Sequence, residues 1–354
     1  MKRMLALFLA IVLSLSVTAC GQSNTKPQQE SVTETQQEST ALPEQETEAA
    51  VFPVTVTDQA GRTVTIEKEP KKIVSGYYIS TSLLIALGQK EKLVGIEAKA
   101  AERPIYTLSA PELIDLPNVG TAKEFDMEGC AALEPDLVIL PLKLKDSVET
   151  LESLGITVIL VNPENQELLT EMIELVSEAT GSQEEATKLL DYTEQTENDL
   201  AETLSDVEKP TVYLAGNSSL LSTAGSDMYQ SSMIALAGGS NVADEITDTY
   251  WVYIDYEQLL AWDPEYIILA SDAEYTCDDV KNDPNLASCQ AVVSGNVYQM
   301  PGDAEAWDSP VPSGILGSVW LASVLHPEQM SEENCNRIIE EYYETFYDFS
   351  YSEK

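Results

Sequence analysis

One pattern of residues occurs twice in the sequence, and it limits the folds that are open to the chain. Residues 126–140 read DMEGCAALEPDLVIL, and residues 255–269 read DYEQLLAWDPEYIIL. The two segments align without a gap. Each begins Asp-x-Glu, continues as a short apolar helix, passes through an acid-Pro-acid triplet and ends in an apolar run typical of a buried strand. We interpret this as an internal repeat, which predicts two similar lobes.

A long helix is predicted between the two copies of the repeat. Residues 182–205 read SQEEATKLLDYTEQTENDLAETLS, with the helix stop signals Gly181 before them and Pro210 after them. Ser182 and Glu185 fit a capping box, in which each side chain bonds a backbone amide at the helix start. A helix of about 24 residues spans roughly 36 Å. Because its apolar stripe is thin, we expect it to bridge the two lobes.

The rest of the chain predicts an α/β fold. Residues 53–66 alternate apolar and polar side chains around a turn and predict a β-hairpin. From Lys72 onward, short apolar strands alternate with helices, a pattern typical of mainly parallel sheets covered by helices. We predict two lobes with mainly parallel sheets, joined by a single long α-helix, with a ligand cleft between them. The predicted bounds are 52–181 for the N-terminal lobe, 182–206 for the connecting helix and 207–354 for the C-terminal lobe.

The N-terminus predicts export. Lys2 and Arg3 precede a short apolar run that ends at Val17-Thr18-Ala19-Cys20, the pattern of a secretory signal with a small-residue cleavage site. The run is shorter than the ~20 residues of a membrane span. Its last four residues resemble a bacterial lipobox. That resemblance implies a lipoprotein signal peptide at residues 1–19 and a lipid on Cys20. The alternative is a plain signal peptide whose cysteine is incidental.

The segment that follows the lipobox predicts a tether. Residues 20–51 are dominated by Gln, Glu, Ser and Thr, and such a segment cannot bury enough apolar surface to fold. We expect it to be disordered. The lipid would then hold the protein extracytoplasmically, on the outer face of the cell membrane.

Charge and histidine content exclude several classes of protein. The formal charge of −41 argues against nucleic acid as a partner, because neutralising phosphates requires clustered Lys and Arg. The sequence has no Gly-x-Ser-x-Gly elbow and no P-loop. Its single histidine, His326, rules out bis-His haem and disfavours a bare metal ion; we expect a structural role for it. We therefore predict a protein that is not an enzyme and holds no resident cofactor.

Four cysteines follow Cys20, and none of them has zinc-type spacing. Export permits disulfides, and a bond between Cys277 and Cys289 could close a surface loop. We expect Cys130 and Cys335 to be buried thiols. Their connectivity stays open at this stage.

Several short motifs, in their order and spacing, resemble a known family. They include VTVTD at 54–58, PKKIV at 70–74, ALG at 86–88, EPDLV at 134–138 and GNVY at 295–298. From residue 53 to residue 347 the chain resembles the helical-backbone (class III) substrate-binding lipoproteins of ABC importers, which serve ferric siderophores, haem and cobalamin. The resemblance implies a monomer that delivers a small-molecule metal chelate to an ABC permease and its ATPase. A surface sensor lipoprotein is the alternative.

The family docks to its permease through one glutamate in each lobe. By motif position these residues are Glu128 and Glu257, one in each copy of the repeat. The alternative role for each is an acid that complements the dipole of a helix N-terminus, worth roughly 0.3–1 kcal/mol.

Ligands of α/β sheets lie beyond the carboxyl ends of the strands, and the loops at those positions supply the candidate binding residues. The N-terminal lobe offers aromatic and basic side chains, and the C-terminal lobe offers aromatic ones. The candidates are Tyr77, Tyr78, Lys99, Arg103, Lys123, Lys143, Tyr250, Trp251 and Trp307. Cations and aromatic faces together suit a large chelated anion. We expect a ferric-siderophore type of iron chelate, with a corrinoid (cobalamin) second and haem third. The alternative for each lysine is an ordinary solvated side chain.

The lipid anchor can be tested in the native host. Replacing Cys20 with Ala removes the thiol that would carry the lipid, so we expect the Cys20→Ala protein to be released into the medium. Fractionation and immunoblotting measure this, with Cys130→Ala as the control that stays in the membrane fraction. A Cys20→Ala protein that remains membrane-bound contradicts the assignment.

Overall fold

The computed structural model describes residues 51–247 and 250–354. The predicted signal peptide, Cys20 and all of the predicted tether except Val51 lie outside the described residues. Within the described part of the chain, no helix is both long enough and apolar enough to cross a membrane.

The first half of the described chain forms a hairpin and a parallel sheet. Its strands are β1 (Val54–Thr57), β2 (Thr63–Ile66), β3 (Ile73–Ser75), β4 (Leu93–Ile96), β5 (Leu137–Pro141) and β6 (Thr157–Val161), and its helices are α1 (Tyr78–Ala86), α2 (Pro104–Ser109), α3 (Met127–Ala132), α4 (Val148–Ser153) and α5 (Gln166–Thr180). The hairpin β1–β2 is antiparallel, as predicted. The other four strands are all parallel, in the order β4-β3-β5-β6.

The second half forms a mixed sheet. Its strands are β7 (Thr211–Ala215), β8 (Ser222–Ala224), β9 (Ser240–Asn241), β10 (Trp251–Tyr253), β11 (Tyr266–Leu269) and β12 (Val297–Gln299). The strand order is β10-β8-β7-β11-β12, and β9 pairs with β7. Strands β7, β9, β11 and β12 are parallel, whereas β8 runs antiparallel to both of its neighbours, β7 and β10. The helices are α7 (Tyr229–Leu236), α8 (Tyr256–Trp262), α9 (Cys277–Lys281), α10 (Gln290–Ser294), α11 (Ile315–Leu325) and α12 (Glu332–Tyr347). The two-lobe α/β fold with mainly parallel sheets is confirmed.

Both copies of the repeat fold in the same way. The carboxylate of Asp126 accepts the backbone N–H of Gly129 at 2.8 Å and starts α3. The carboxylate of Asp255 accepts the backbone N–H of Gln258 at 2.8 Å and starts α8. Each helix is followed by a central strand of its sheet, β5 in one lobe and β11 in the other. The repeat is therefore a repeat of structure as well as of sequence.

The third residue of each acid-Pro-acid triplet joins two strands. The carboxylate of Asp136 accepts the backbone N–H groups of Lys71 and Lys72, both at 2.9 Å, just before β3. The carboxylate of Glu265 accepts the backbone N–H of Thr211, at 2.8 Å, at the start of β7. In both lobes an acid thus satisfies amides at the amino end of the neighbouring strand, where no ladder partner is available.

The long helix between the lobes is α6, and it is shorter than predicted. It covers Gln183–Thr203 and buries one face, formed by Ala186, Leu189, Thr196 and Leu200. The predicted capping box is wrong, because the Ser182 side chain makes no cap hydrogen bond. The hydroxyl of Ser182 instead lies 2.8 Å from the hydroxyl of Thr180. The Ser182 hydroxyl therefore bonds the hydroxyl of Thr180 instead of capping the helix.

The lobes also meet directly through the C-terminal helix. The hydroxyl of Tyr347, at the end of α12, lies 2.9 Å from the hydroxyl of Ser82 in α1. The hydroxyl of Ser109, in α2, donates to the backbone carbonyl of Tyr347 at 2.6 Å. Tyr347 is 1% exposed. A buried polar junction therefore supplements α6 in holding the lobes together.

The cysteines and the histidine have structural surroundings. Cys130, Cys277, Cys289 and Cys335 are all free thiols, so the Cys277–Cys289 bridge considered above is absent. Cys130 and Cys335 are buried, as predicted. His326 is buried too, and its Nε2 lies 3.1 Å from the carbonyl oxygen of Gly238, which supports the predicted structural role.

The junction can be tested by removing one hydroxyl. We expect Tyr347→Phe to lower the free energy of unfolding by about 1 kcal/mol, because it breaks a buried hydrogen bond while keeping the ring. Urea denaturation measures the loss. The control is Tyr298→Phe, since Tyr298 is 38% exposed and should change little. Equal values for the two variants would contradict a stabilising role for the junction.

Candidate functional site

A cavity of about 330 Å³ lies between the lobes. Its N-terminal wall includes Tyr78, Arg103 and Tyr106, which follow strands β3 and β4. Its C-terminal wall includes Ser271 and Glu305, which follow strands β11 and β12. The cavity therefore lies beyond the carboxyl ends of parallel strands from both sheets, which is where α/β proteins bind ligands.

The local sequence positions Arg103. Pro104 is the first residue of α2, a position that suits proline because its missing N–H would have no helical partner. Proline also restricts the residue before it to extended backbone, and Arg103 has φ −107° and ψ 107°. The Arg103 side chain thereby leaves the helix start and reaches the cavity.

The guanidinium of Arg103 is held from two sides. Its Cζ lies 4.0 Å from the centre of the Tyr78 ring, a favourable cation–π geometry. Its Nε lies 3.5 Å from Oε1 of Glu97, a distance that allows an ion pair but is long for a hydrogen bond. That Nε is buried and has no hydrogen-bond partner within the described residues. Arg103 is thus a fixed cation with an unused donor.

Glu97 belongs to a buried polar cluster behind Arg103. The hydroxyl of Thr81 donates to Oε2 of Glu97 at 2.6 Å, and the hydroxyl of Tyr106 donates to Oε1 at 2.7 Å. Glu97 is 5% exposed. Burial raises the pKa of Glu97, while the two hydroxyls and Arg103 act in the opposite direction.

Buried carboxyls lie in the C-terminal wall, at Glu305, and behind it, at Asp308. The hydroxyl of Ser271 donates to Oδ1 of Asp308 at 2.6 Å, and the hydroxyl of Ser313 donates to Glu305. Burial raises the pKa of both Asp308 and Glu305. Raised pKa values favour the neutral acid, which can donate a hydrogen bond.

The predicted binding residues of the N-terminal lobe lie at different distances from the cavity. Tyr78 and Arg103 line the cavity, and Tyr77 is half-buried beside Tyr78, with ring centres 5.2 Å apart. Lys99 is exposed and pairs with Glu102 at 3.1 Å. Burial raises the pKa of both Tyr77 and Tyr78.

The remaining lysines do not join this cluster. Lys123 and Lys143 are exposed and lie on other loops at the carboxyl edge of the sheet. Of the four cations that were predicted to converge, Arg103 alone lies at the cavity wall.

The predicted aromatic residues of the C-terminal lobe are also divided. Tyr250 is 60% exposed. Trp251 is half-buried and covers the carboxyl end of β7, where a Cβ atom on Gly216 would lie 2.9 Å from the indole ring. Neither residue lines the cavity.

The assignment of Trp307 to the ligand site is wrong. Trp307 is 1% exposed, and its indole N–H donates to the hydroxyl of Tyr343 at 2.8 Å. Its ring also contacts Tyr351, with centres 5.8 Å apart. These partners belong to the C-terminal segment, which covers the indole, so Trp307 is a core residue.

Sequence reasoning missed several wall residues that the strand-end rule could have found. Glu97 comes directly after β4, and Ser271 and Asp272 come just after β11 of the second repeat. Asp272 follows the second repeat at the same distance as Lys143 follows the first, but the prediction included only the lysine. Glu305 had no such signal.

The two candidate docking residues occupy equivalent positions. Glu128 and Glu257 are both exposed, and each lies in the first turn of its helix, α3 or α8.

In residues 51–247 and 250–354, no group of three or more His, Cys, Asp or Glu side chains is arranged to hold a metal ion.

Comparison with known proteins identifies the family. A family model described as periplasmic binding protein matches residues 73–304. The molybdate-binding protein MolA of Haemophilus influenzae is 26% identical over 84% of this chain and 91% of its own length. Its molybdate-bound structure has a TM-score of 0.74, covering 84% of this chain and 99% of that one.

Two further relatives come from Bacillus subtilis and Halobacterium salinarum. The uncharacterized ABC transporter substrate-binding lipoprotein YvrC of Bacillus subtilis is 27% identical over 94% of this chain and 100% of its own length. A cobalamin-binding protein of Halobacterium salinarum is 24% identical over 64% of this chain and 61% of its own length. The chain therefore belongs to the periplasmic binding protein family, the substrate-binding proteins of ABC transporters.

Proposed function

We propose that the protein captures a compact, metal-containing anion outside the cell and delivers it to an ABC permease. The observation that carries this proposal is Arg103, a cation fixed against Tyr78 at the wall of the inter-lobe cavity. Charge-assisted hydrogen bonds from a guanidinium suit oxyanions and carboxylates. The hydroxyl of Ser271, on the wall opposite Arg103, would supply a further donor.

The size of the cavity favours a small ligand. At about 330 Å³ it lies near the lower end of the roughly 300–1,000 Å³ range of ligand sites. A metal oxyanion of the molybdate type fits this volume, and the similarity to MolA supports that choice. A corrinoid would require the lobes to be farther apart than they are here.

A ferric chelate is the second candidate. The half-buried ring of Tyr77, beside Tyr78 of the cavity wall, favours it because aromatic faces bind the organic part of a chelate. The anionic charge that Arg103 selects is common to both candidates.

The ligand class can be tested by titration calorimetry at two ionic strengths. We expect molybdate or tungstate to bind. Titrations with ferric citrate, ferric hydroxamates and ferric catecholates test the second candidate. Replacing Arg103 with Gln should lower the affinity for the anion about tenfold or more, because a hydrogen bond between charged groups is lost. The control is Lys281→Gln, a surface residue of α9. Binding of cyanocobalamin or haemin alone would contradict the proposal.

The delivery step gives a separate prediction for Glu128 and Glu257. Because both are exposed in the first turns of equivalent helices, each can pair with a basic pocket on a permease. We expect Glu128→Ala and Glu257→Ala to reduce stimulation of permease ATPase activity, with the double variant lower than either single one. Ligand affinity should be unchanged in all three. Loss of ligand binding, or full stimulation by the double variant, would contradict docking through these residues; a lack of stimulation by the unaltered protein would favour a sensor role.

A further inference from the structure

Glu97 is the buried acid that lies within ion-pair distance of Arg103 among the described residues. It lies at the carboxyl end of β4, 5% exposed, and its Oε1 is 3.5 Å from Nε of Arg103. Both of its oxygens already accept hydroxyl hydrogen bonds, from Thr81 and Tyr106. Glu97 is therefore satisfied without Arg103, and Arg103 is left near it without a hydrogen bond at Nε.

This arrangement makes the charge at the cavity wall depend on one proton. When Glu97 is ionised, it and Arg103 form a neutral pair, and an anion in the cavity gains little from the guanidinium. When Glu97 is protonated, Arg103 presents an uncompensated positive charge in a region of low dielectric, where attraction to an anion is stronger. The protonated form remains hydrogen-bonded, because the tyrosine and threonine hydroxyls can turn and accept.

The other titratable groups around Arg103 are placed less well for this role. Glu102 is exposed and pairs with Lys99, and Asp272 is on the opposite wall. Glu164 is exposed on the loop after β6. Among the buried acids, Glu305 is bonded to Ser313 and Asp308 to Ser271. In the described residues, Glu97 is the carboxyl within ion-pair distance of Arg103.

We propose that Glu97 is a positioning residue for Arg103, and that its protonation sets the charge that Arg103 presents to the ligand. This rests on the proposed function, because Arg103 is taken as the group that binds the anion. Burial raises the pKa of Glu97, which favours its protonated form. An anion beside Arg103 favours the protonated acid further, so binding takes up a proton.

The positioning role can be tested without any ligand. The arginines of the sequence are Arg3, Arg62, Arg103 and Arg337, so the Nε–H signal of Arg103 in ¹⁵N NMR spectra can be assigned by its loss in Arg103→Lys. Across about pH 4 to 8, a range that brackets carboxyl groups with moderately raised pKa values, we expect this signal to shift in one step. In Glu97→Gln the step should disappear.

Two further variants keep the test decisive if Glu97→Gln folds poorly. Tyr106→Phe removes a hydroxyl that stabilises ionised Glu97, so the midpoint of the step should move to higher pH. Glu305→Gln removes the competing buried acid of the opposite wall and should leave the midpoint unchanged. An Arg103 signal that does not respond to pH, or a step that survives in Glu97→Gln or vanishes in Glu305→Gln, overturns the proposal.

The coupling to ligand is measured by calorimetry with sodium molybdate in buffers of different ionisation enthalpy. We expect close to one proton taken up per molybdate, and an affinity that rises up to about tenfold per unit fall in pH where Glu97 is ionised before binding. Glu97→Gln should bind molybdate with much weaker pH dependence. Binding with no proton uptake overturns the coupling. Absence of molybdate binding, together with a normal Arg103 titration, counts against the proposed ligand and leaves the positioning role supported.

Discussion

The third residue of each acid-Pro-acid triplet fixes the relative positions of the central strands. Asp136 ties the start of β5 to the amides that precede β3, and Glu265 ties the start of β11 to the first amide of β7. Because these strands are parallel, alignment of their amino ends also aligns their carboxyl ends. The loops that leave those carboxyl ends then start at a common edge in each lobe, which is the edge where the cavity lies.

The buried junction between α1 and α12 determines how this edge is presented. Tyr347 bonds Ser82 at 2.9 Å, and Glu305, next to it in the junction, also lines the cavity. A rotation of one lobe against the other would break hydrogen bonds that have no water to replace them, at a cost of about 1–3 kcal/mol for each group left unsatisfied. The junction therefore favours small adjustments of the lobes over wide opening. It also connects the cavity wall to the helix that closes the C-terminal lobe.

The sequence predicted those parts of the molecule that depend on interactions between residues close together in the chain. The repeat, the hairpin and α6 have short-range signals, and Tyr78 and Arg103 were found because strand ends are visible in the apolar pattern. Trp307 was misplaced because its neighbours in sequence are polar, whereas its partners Tyr343 and Tyr351 come from a segment more than 30 residues later. The capping box failed because Thr180 competes for Ser182. Contacts of this kind depend on the assembled fold.

The formal charge of −41 and the proposed anionic ligand are compatible because the two concern different parts of the protein. Exposed acids that lie more than about 8–10 Å from the cavity are screened at physiological ionic strength, whereas Glu102 and Asp272 line the cavity and act on its field directly. There, the field depends on Arg103 and on the few carboxyls that share its low-dielectric surroundings. Burial raises the pKa of Glu97, behind Arg103, and of Glu305, in the cavity wall, and each proton that these acids hold removes one negative charge from the surroundings of Arg103. A strongly acidic protein can in this way present a positive binding site, provided that its buried acids are neutral when the ligand is bound.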